Sequence, residues 1–258
     1  MIIKANIVIN SEMINIEEDL SLCIKNFSTT GRILEIGQRN SIKLFDIKGQ
    51  TMNIKSFKIP NFINKIAYKY FRKSKARRSF EYATKLIEVG IGTPRPIAYF
   101  ENYDLIGLND SYYVCEHLES VFEFREVELN KDFQNREEII RQFTKFTFDM
   151  HQKGIEFLDH SPGNTLIKNE GNGKYSFYLV DLNRMNFHQN IDFQTRMKNL
   201  SRLTSKKGIV AIMSDEYAKL SGEDKDLVFE TMWKATQDFQ YRFNRKKRIK
   251  RQLKFWKK

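Results

Sequence analysis

The stretch that decides this fold is FLDHSPGN at residues 157–164, followed by LVDLNR at residues 179–184. These stretches contain Asp159, then Asn164 five positions later, then Asp181 seventeen positions beyond that. Phosphoryl transfer to a hydroxyl needs one carboxylate to accept the proton. It also needs an asparagine and a second carboxylate to hold Mg²⁺ against nucleotide phosphates. The residues match that chemistry, but Asp-x-x-x-x-Asn is also the pattern of an ordinary turn, so both interpretations stay open at this point.

A β-hairpin is predicted immediately after this loop. Residues 165–168 and 175–181 have strand-like patterns, and they flank a turn sequence, GNG, at residues 171–173. Asn164 would then lie just before the first strand, and Asp181 at the end of its partner. The hairpin therefore explains how two residues seventeen positions apart in the chain could bind the same metal ion.

The hydrophobic period changes along the chain. The first 60 residues predict short strands, and an apolar helical stripe at 80–87 stops at Gly90. Two more strands are predicted near 97–100 and 112–117, and from about residue 135 the pattern is mainly helical. The predicted fold class is α+β, with an N-terminal antiparallel sheet that carries one main helix, followed by a mostly helical C-terminal part. The strands predicted in the first 60 residues are 2–9, 33–37, 41–46 and 51–57.

The composition is that of a globular protein of 258 residues, 41% of them hydrophobic, with 21 phenylalanines. The N-terminal residues contain no long apolar run and no small-residue cleavage site, so we expect no signal peptide. No stretch approaches the roughly eighteen apolar residues that a membrane span requires. Cys23 and Cys115 are too few for a disulfide framework or a zinc site, which favours a reducing cytoplasm.

The net charge of +12 is concentrated in two segments. Residues 242–258 contain ten Lys or Arg and no acid, and residues 65–78 contain seven and no acid. The two segments together contribute seventeen positive charges to the net charge of +12, so the rest of the chain carries a net charge of −5. Two local basic patches indicate an anionic partner.

Lys55 lies among apolar neighbours in a predicted strand. A lysine in a strand usually points to solvent. The functional interpretation is a cation that binds the α- and β-phosphates of a nucleotide and is held by a glutamate on the next helix. Glu81 is the expected partner, because it follows Lys55 by 26 residues and lies in the first turns of the predicted helix.

The segment YYVCEHL at residues 112–118 ends a strand where the two parts of the chain should join. The backbone of Glu116 and Leu118 is suited to hydrogen bonds with adenine. An ordinary buried strand end has the same pattern, so the segment gives only weak support.

The chain places a strand lysine (Lys55), a helix glutamate (Glu81), a strand end at 116–118 and then the Asp159, Asn164 and Asp181 trio in this order. With this order it resembles the protein-kinase-like fold across roughly residues 30–200. More narrowly, it is similar to the bacterial lipopolysaccharide kinases that phosphorylate Kdo or heptose in the inner core. The stretches that carry the resemblance are KSFK at 55–58, KARRSFE at 75–81, GIGTPRP at 90–96, DHSPGN at 159–164 and DLNR at 181–184.

The resemblance implies a role for each matched position. Lys55 would bind the α- and β-phosphates, and Glu81 would orient it. Asp159 would be the catalytic base, and Asn164 a Mg²⁺ ligand. Asp181 would be the main Mg²⁺ ligand, bridging the β- and γ-phosphates. ATP and Mg²⁺ are thus the expected cofactors, and the acceptor would be a lipid-A-linked core sugar.

Departures from the protein-kinase pattern narrow the expected substrate. Phe157-Leu158 stands where His-Arg would precede the base, and Leu182-Asn183 replaces the Phe-Gly that follows the metal-binding Asp. No Ala-Pro-Glu segment follows, and only Gly37 is left of the three glycines of a phosphate-covering loop. Because the activation segment shapes the platform for a peptide, these differences argue against a peptide substrate.

The pattern and the resemblance predict three parts of the chain. Residues 1–118 would form a β-rich, nucleotide-binding N-lobe, residues 119–241 a catalytic and mainly helical C-lobe, and residues 242–258 a basic tail. The tail mixes its cations with Ile249, Leu253, Phe255 and Trp256. This mixture predicts an amphipathic element on the anionic inner face of the cytoplasmic membrane, although a solvated helix end would have a similar composition.

Three functions therefore stay open. The first is a lipopolysaccharide core sugar kinase, and the second a kinase of the same fold that acts on another small molecule or on protein. The third is a non-catalytic pseudokinase or a module that binds an anionic surface such as nucleic acid. The expected base and metal ligands count against a pseudokinase. No nucleic-acid partner is expected, because no RNA-binding or helix-turn-helix signature accompanies the basic runs. His160, beside Asp159, is expected to pack or hydrogen-bond rather than bind metal.

Overall fold

The structure, a computed structural model, describes residues 4–37 and 40–255, the last three of them as backbone only. The chain divides into two compact units. Unit 1 comprises Met1–Glu119 together with Asp181–Asn183, and unit 2 comprises Ser120–Val180 and Arg184–Lys258. The short return of the chain to unit 1 at Asp181 is not evident from the sequence pattern.

Unit 1 is built on a six-stranded antiparallel sheet with the strand order β1-β5-β6-β4-β3-β2. Its strands are β1 (Lys4–Ile9), β2 (Arg32–Ile36), β3 (Asn40–Ile47), β4 (Gln50–Phe57), β5 (Pro96–Tyr103) and β6 (Leu108–Glu116). Its helices are α1 (Glu17–Lys25), α2 (Phe62–Tyr70) and α3 (Lys75–Glu88). The strands predicted at 33–37, 41–46 and 51–57 are confirmed by β2, β3 and β4; of the strand predicted at 2–9, residues 2 and 3 lie outside the described residues.

Helix α1 corrects the prediction that the first 60 residues contain only strands. A 3₁₀ turn at Ser11–Ile16 leads into it, and Ile16, Leu20 and Ile24 are buried against one face of the sheet. The spacing of four between these apolar residues is the signal that identifies a helix here. Met52 and Ile54 of β4 belong to the same hydrophobic cluster.

Lys55 lies on the opposite face of this sheet. Successive side chains of a strand alternate between faces, so Lys55 points away from the side that Ile54 buries. Both Lys55 and Tyr99 are paired with Tyr113 of β6, which puts the three side chains on one face. Phe80 of α3 packs edge-on against Tyr99, with ring centroids 5.4 Å apart. Helix α3 therefore covers the face that carries Lys55.

Unit 2 is mainly helical. Its strands are β7 (Val121–Glu123), β8 (Ile155–Phe157), β9 (Thr165–Gly171), β10 (Lys174–Leu179) and β11 (Met185–Phe187). Its helices are α4 (Phe124–Leu129), α5 (Arg136–Gln152), α6 (Phe193–Leu200), α7 (Lys207–Ser221) and α8 (Lys225–Phe255). The helical pattern predicted from about residue 135 is confirmed by α5, whose Ile139, Ile140 and Phe143 are fully buried in the core of the unit.

Gly154 follows the end of α5 with a φ of +70°. A Cβ atom at this position would collide with the backbone carbonyl of His188, whose N–H donates to the Gly154 carbonyl at 2.8 Å. Both the left-handed conformation and this close approach require glycine. The turn leads directly into β8 and the loop that contains Asp159.

The basic tail continues α8. From Tyr241 to Gln252 every side chain is exposed, and seven of these residues are Lys or Arg. At about 100° per residue these cations lie all around the helix, so 242–252 has no apolar stripe. The expected amphipathic character is therefore not found over these residues; Leu253 and Phe255 have no described side chain, and Trp256 lies outside the described residues. In the described part of the chain, no helix is long and apolar enough to cross a membrane.

Candidate active site

Lys55 and Asp181 form an ion pair within unit 1. Lys55 Nζ lies 2.7 Å from Asp181 Oδ1, and the side chain of Lys55 is 13% exposed. Asn183 donates a second hydrogen bond, from Nδ2 to the same oxygen, at 2.5 Å. Two residues 126 positions apart are thus joined, and the segment 181–183 is attached to strand β4.

The carboxylate of Asp181 is ionised at neutral pH. Burial raises its pKa, but the nearby charge of Lys55 and hydrogen bonds from Lys55 and Asn183 lower the pKa further, so the net shift is downward. Its backbone has a φ of +58°, a left-handed conformation that Asp adopts more readily than most residues. Positive φ at a non-glycine residue is frequent at functional sites.

Glu81 does not pair with Lys55, which corrects the predicted ion pair. Its Oε2 accepts from Lys73 Nζ at 2.7 Å, and its Oε1 accepts from Arg77 Nε at 2.8 Å. Arg77 is four residues earlier on α3 and so lies on the same helix face, which gives Glu81 a local partner. Among the described residues, the carboxylate that meets Lys55 is that of Asp181.

The loop after β8 brings Asp159 and Asn164 together within unit 2. Residues Pro162–Asn164 form a 3₁₀ turn, and Asn164 Nδ2 donates to the backbone carbonyl of Asp159 at 2.8 Å. The Asn164 N–H also donates to the Ser161 carbonyl at 2.9 Å. The sequence Pro-Gly-Asn therefore folds back on the residue predicted to be the base, instead of extending away from it.

Two arginines hold the carboxylate of Asp159. Arg184 Nη1 is 3.1 Å and Arg202 Nη1 is 3.2 Å from Asp159 Oδ1, and Arg202 also donates to the Leu158 carbonyl. No sequence pattern indicates Arg202, which follows α6 and is 43 positions from Asp159. Arg184 lies in the LVDLNR stretch, but its position three residues after Asp181 does not by itself indicate a contact with Asp159.

A buried hydrogen-bond network around Asn199 holds the loop that contains Asp159. Asn199 Nδ2 donates to the Phe157 carbonyl at 2.8 Å, which leaves Asn199 Oδ1 as an acceptor. His151 Nε2 at 3.1 Å and His160 Nδ1 at 3.3 Å both meet that oxygen, so each of these ring nitrogens carries a hydrogen. His151 Nδ1 then accepts from the Tyr217 hydroxyl at 3.0 Å. His160 packs and hydrogen-bonds, as predicted.

Both histidines are neutral because they are buried. Burial lowers the pKa of His151 to about 4 and that of His160 to about 3, from the ordinary value of 6.5. Below pH 6.5 the unfolded chain takes up protons at these positions while the folded chain does not. We therefore expect the free energy of unfolding to fall as the pH is lowered from 6.5 towards 4.

Urea unfolding at pH 7.5 and 5.5 measures this effect. We expect a loss of about 2 to 3 kcal/mol for the two histidines together, since each contributes about 1.4 kcal/mol per pH unit in this window. His160→Gln should reduce the pH-dependent loss by about half, whatever its effect at pH 7.5. Equal free energies of unfolding at the two pH values in the wild-type protein would contradict the assignment.

The predicted hairpin after this loop is confirmed. Strand β9 pairs with β10 in antiparallel register, with Thr165 opposite Leu179. The Val180 N–H donates to the Asn164 carbonyl at 3.0 Å. Asn164 immediately precedes β9 and Val180 immediately precedes Asp181, so the hairpin brings these two ends of the chain together.

Three residues predicted to contact the nucleotide, Glu116, Leu118 and Gly37, lie at or just beyond the ends of strands β6 and β2. The Glu116 N–H donates to the Arg95 carbonyl at 2.9 Å, so of the backbone groups of Glu116 the carbonyl is the one suited to adenine. Leu118 is half-buried. Gly37 begins the β2–β3 connection, and its N–H donates to the Asn40 carbonyl at 2.9 Å. Gln38 and Arg39 lie outside the described residues.

The oxygen donors fit magnesium. Among the residues that the structure describes, no three His, Cys, Asp or Glu side chains cluster as a metal site. Magnesium commonly takes only one or two protein carboxylates and completes its shell with phosphate and water. In unit 1, Asp181 is ionised, and Asn183 Oδ1 is buried without a hydrogen-bond partner. A hydrated cation would satisfy such an oxygen.

Comparison with known proteins identifies the family and the fold. The model of the lipopolysaccharide kinase (Kdo/WaaP) family matches residues 49–223, more than half of the chain. A solved structure of WaaP in complex with acyl carrier protein is similar to this chain, with a TM-score of 0.61 and 14% identity. The similarity covers 90% of this chain and 98% of that chain. No curated protein matches the sequence.

The structural likeness confirms the predicted protein-kinase-like fold, with an antiparallel sheet in the N-terminal unit and a mainly helical C-terminal unit. The family match includes Lys55, Glu81, Asp159, Asn164 and Asp181, whereas Gly37 lies outside it. Membership of a kinase family implies the use of ATP. The chain belongs to the lipopolysaccharide kinase (Kdo/WaaP) family.

Proposed function

We propose that this protein transfers the γ-phosphate of ATP to a sugar hydroxyl, of Kdo or heptose, in a lipopolysaccharide inner-core precursor. The observation that carries this proposal is the ion pair between Lys55 and Asp181, which joins a strand lysine to the segment after the hairpin. A lysine and an aspartate at these chain positions are the phosphate-binding and metal-binding groups of kinase-like enzymes.

Each residue would have a defined task. When bound, ATP supplies the phosphoryl group, and Mg²⁺ neutralises phosphate charge. Asp159 would accept the proton as the acceptor oxygen forms its new bond to phosphorus and the bond to ADP breaks. Asn164 and Asp181 would hold Mg²⁺, and Lys55 would bind the α- and β-phosphates. Backbone groups of Glu116 and Leu118 would bind adenine, and the connection at Gly37 would cover the phosphates.

The arginines around Asp159 favour an anionic acceptor. Arg184 is 59% exposed, and only one oxygen of Asp159 accepts from it. A guanidinium with free donors beside the proposed base would bind a carboxylate or phosphate on the acceptor sugar. Kdo carries a carboxylate, so an inner-core acceptor matches the charge of this position.

Lys55 and Glu81 should differ strongly in their effect on activity. Lys55→Met removes a charge-assisted contact with phosphate that is worth about 1.5 to 3 kcal/mol, so we expect kcat/KM for ATP to fall by about 10- to 100-fold. Glu81→Gln weakens partly exposed ion pairs on α3 and should change kcat/KM by less than about fivefold. Steady-state kinetics with varied ATP measures both. A loss for Glu81→Gln as large as for Lys55→Met would show that Glu81 orients Lys55 after all.

The acceptor distinguishes the proposal from a kinase of the same fold with a different substrate. Purified protein would be supplied with lipid-linked core, with soluble sugars and with a protein mixture, each at equal ATP. Lipid-linked core as the only productive acceptor supports the proposal. Faster turnover of a soluble small molecule or of protein would favour the alternative.

The basic tail is a candidate for attachment to the anionic inner face of the cytoplasmic membrane. Its cations surround the last turns of α8, so the attraction would be electrostatic. Each Lys or Arg near an anionic surface contributes about 1 kcal/mol at moderate ionic strength. WaaP was solved with acyl carrier protein, which makes such a carrier a second candidate partner.

Truncation after residue 241 tests the tail. The truncated protein should bind anionic vesicles at least about tenfold more weakly at 0.05 M salt, while its activity on a short soluble acceptor is retained. Sedimentation with vesicles measures the binding. Unchanged association at low salt would exclude the tail as the attachment.

A further inference from the structure

Helix α2 points its apolar side to solvent. At about 100° per residue, Phe62, Ile63, Ile66 and Tyr70 lie within one arc of roughly 100°. Ile63 is 76% exposed, Tyr70 is 65% exposed, and no residue of α2 is buried. A surface helix of a globular protein normally has the opposite orientation, with its apolar stripe against the core.

The side of α2 that faces the rest of unit 1 is polar. Lys65 donates to Asp104 at 2.6 Å and to Asn109 at 3.2 Å. A Cβ atom at Gly107 would collide with the backbone of Lys65, so only glycine allows the turn before β6 to approach the helix this closely. These contacts fix the orientation of α2, and the exposure of its apolar side is therefore part of the fold.

The β5–β6 turn extends the exposed surface. Lys69 Nζ donates to the Leu105 carbonyl at 3.3 Å, which places this turn beside the last turn of α2. Leu105 is 82% exposed, and Phe71, directly after the helix, is also 82% exposed. We refer to these six exposed side chains together as the α2 patch: Phe62, Ile63, Tyr70, Phe71, Leu105 and Ile106.

The charge around the α2 patch is positive. Lys58, Lys69 and Arg72 are exposed. Two acids of this unit are compensated by ion pairs, Asp104 with Lys65 at 2.6 Å and Glu81 with Lys73 at 2.7 Å. Aromatic and aliphatic side chains rimmed by lysines, whose long apolar stems can lie along hydrocarbon, are typical of a surface that enters the headgroup region of a bilayer.

We propose that the α2 patch docks on an anionic lipid bilayer, with its apolar side chains in the interface and its lysines and arginine on the headgroups. The proposal deepens the proposed function, on which it rests for the lipid-linked acceptor. Charge complementarity favours a bilayer, since exposed cations surround the apolar centre. This contact differs from that of the tail, because apolar insertion resists salt whereas attraction between exposed charges is screened.

Tryptophan fluorescence tests the contact directly. Ile63→Trp is compared with Leu22→Trp, a matched substitution on α1 at a side chain that is 59% exposed. The probe is a vesicle of phosphatidylethanolamine and phosphatidylglycerol, with pure phosphatidylcholine as the neutral comparison. Trp233 and Trp256 of the wild-type protein set the baseline. Relative to that baseline, we expect an additional blue shift for Ile63→Trp on anionic vesicles and none for Leu22→Trp. No shift at position 63, or equal shifts at both positions, would overturn the proposal.

Sedimentation of the charge variants gives the size of the effect. Ile63→Glu should lower binding to anionic vesicles at least about tenfold, and the loss should persist in 1 M salt, whereas Leu22→Glu should bind like the wild type. Equal binding of Ile63→Glu and wild type would overturn the proposal. So would self-association of the wild type that Ile63→Glu abolishes in the absence of vesicle binding, because the patch would then be an interface between two copies.

Activity in detergent separates this inference from the proposed function. With acceptor dissolved in detergent micelles, Ile63→Glu should transfer phosphate at the wild-type rate. Vesicle binding without any phosphotransfer by the wild type would contradict the proposed function and leave the docking surface standing. Phosphotransfer by a wild-type protein that does not bind vesicles would contradict the docking surface and leave the proposed function standing.

Discussion

Asp181→Ala should abolish phosphotransfer, with kcat falling at least about a thousandfold. The carboxylate is the expected main ligand of Mg²⁺, and a metal ion that stabilises transition-state charge contributes several kcal/mol, of which about 4 kcal/mol corresponds to that factor. The substitution also leaves the largely buried ammonium of Lys55 without its partner. Asp181→Asn retains the shape and should lose nearly as much activity, because a neutral amide binds Mg²⁺ weakly.

Radiolabel transfer and Mg²⁺ titration would measure these losses, with thermal unfolding to confirm that each variant folds. The matched control is Asp192→Asn, which removes a carboxylate from the N-cap of α6. Because Asn caps a helix as well as Asp does, this change should lower the free energy of unfolding by less than about 1 kcal/mol and change kcat by no more than about twofold. If Asp181→Ala kept activity within tenfold of the wild type, Asp181 would not be the metal ligand.

Asp159→Asn should lower kcat by about 10²- to 10⁴-fold while ATP binding is retained. A positioned general base contributes a factor of this size, and an amide cannot accept the proton. Asn keeps the hydrogen-bond acceptor for Arg184 and Arg202, so the loop should stay in place. Asp159→Ala should give a similar loss of kcat, with more disturbance of the loop.

Nucleotide binding by calorimetry and single-turnover transfer would separate binding from chemistry in this variant. Asp149→Asn is the matched control, since Asp149 is a partly exposed carboxylate of α5 that pairs with Lys145, and its replacement should be nearly neutral. A parallel loss of ATP affinity and kcat would assign Asp159 to nucleotide binding instead of proton transfer.

Local patterns in the sequence predicted the elements that hold the site. The hairpin β9–β10, the helix α3 that stops before Gly90, and the strand β4 that contains Lys55 all follow from periodicity and turn residues. Helix α1 was missed although Ile16, Leu20 and Ile24 are spaced by four.

The pairings of the charged groups could not be predicted in the same way. Lys55 has two candidate carboxylates, at positions 81 and 181, and chain order favours the nearer one. Lys73, Arg77 and Lys55 are all possible partners of Glu81. Tertiary placement pairs Glu81 with Lys73 and Arg77, and pairs Lys55 with Asp181. Tertiary placement also decides the contact between Arg202 and Asp159 and the outward orientation of the apolar side of α2. A sequence pattern shows that a residue is charged or that a helix face is apolar, but it does not show what that residue or face contacts.

The most direct test of the central claim is to follow the γ-phosphate itself. Purified protein would be incubated with ATP labelled in that phosphate and with lipid-A-linked core, and the label located by mass spectrometry. We predict label on a hydroxyl of Kdo or heptose with the wild-type protein and none with Asp181→Ala. The claim would be contradicted by folded wild-type protein that transfers no phosphate to any acceptor, and most clearly if it bound nucleic acid equally well with and without Asp181.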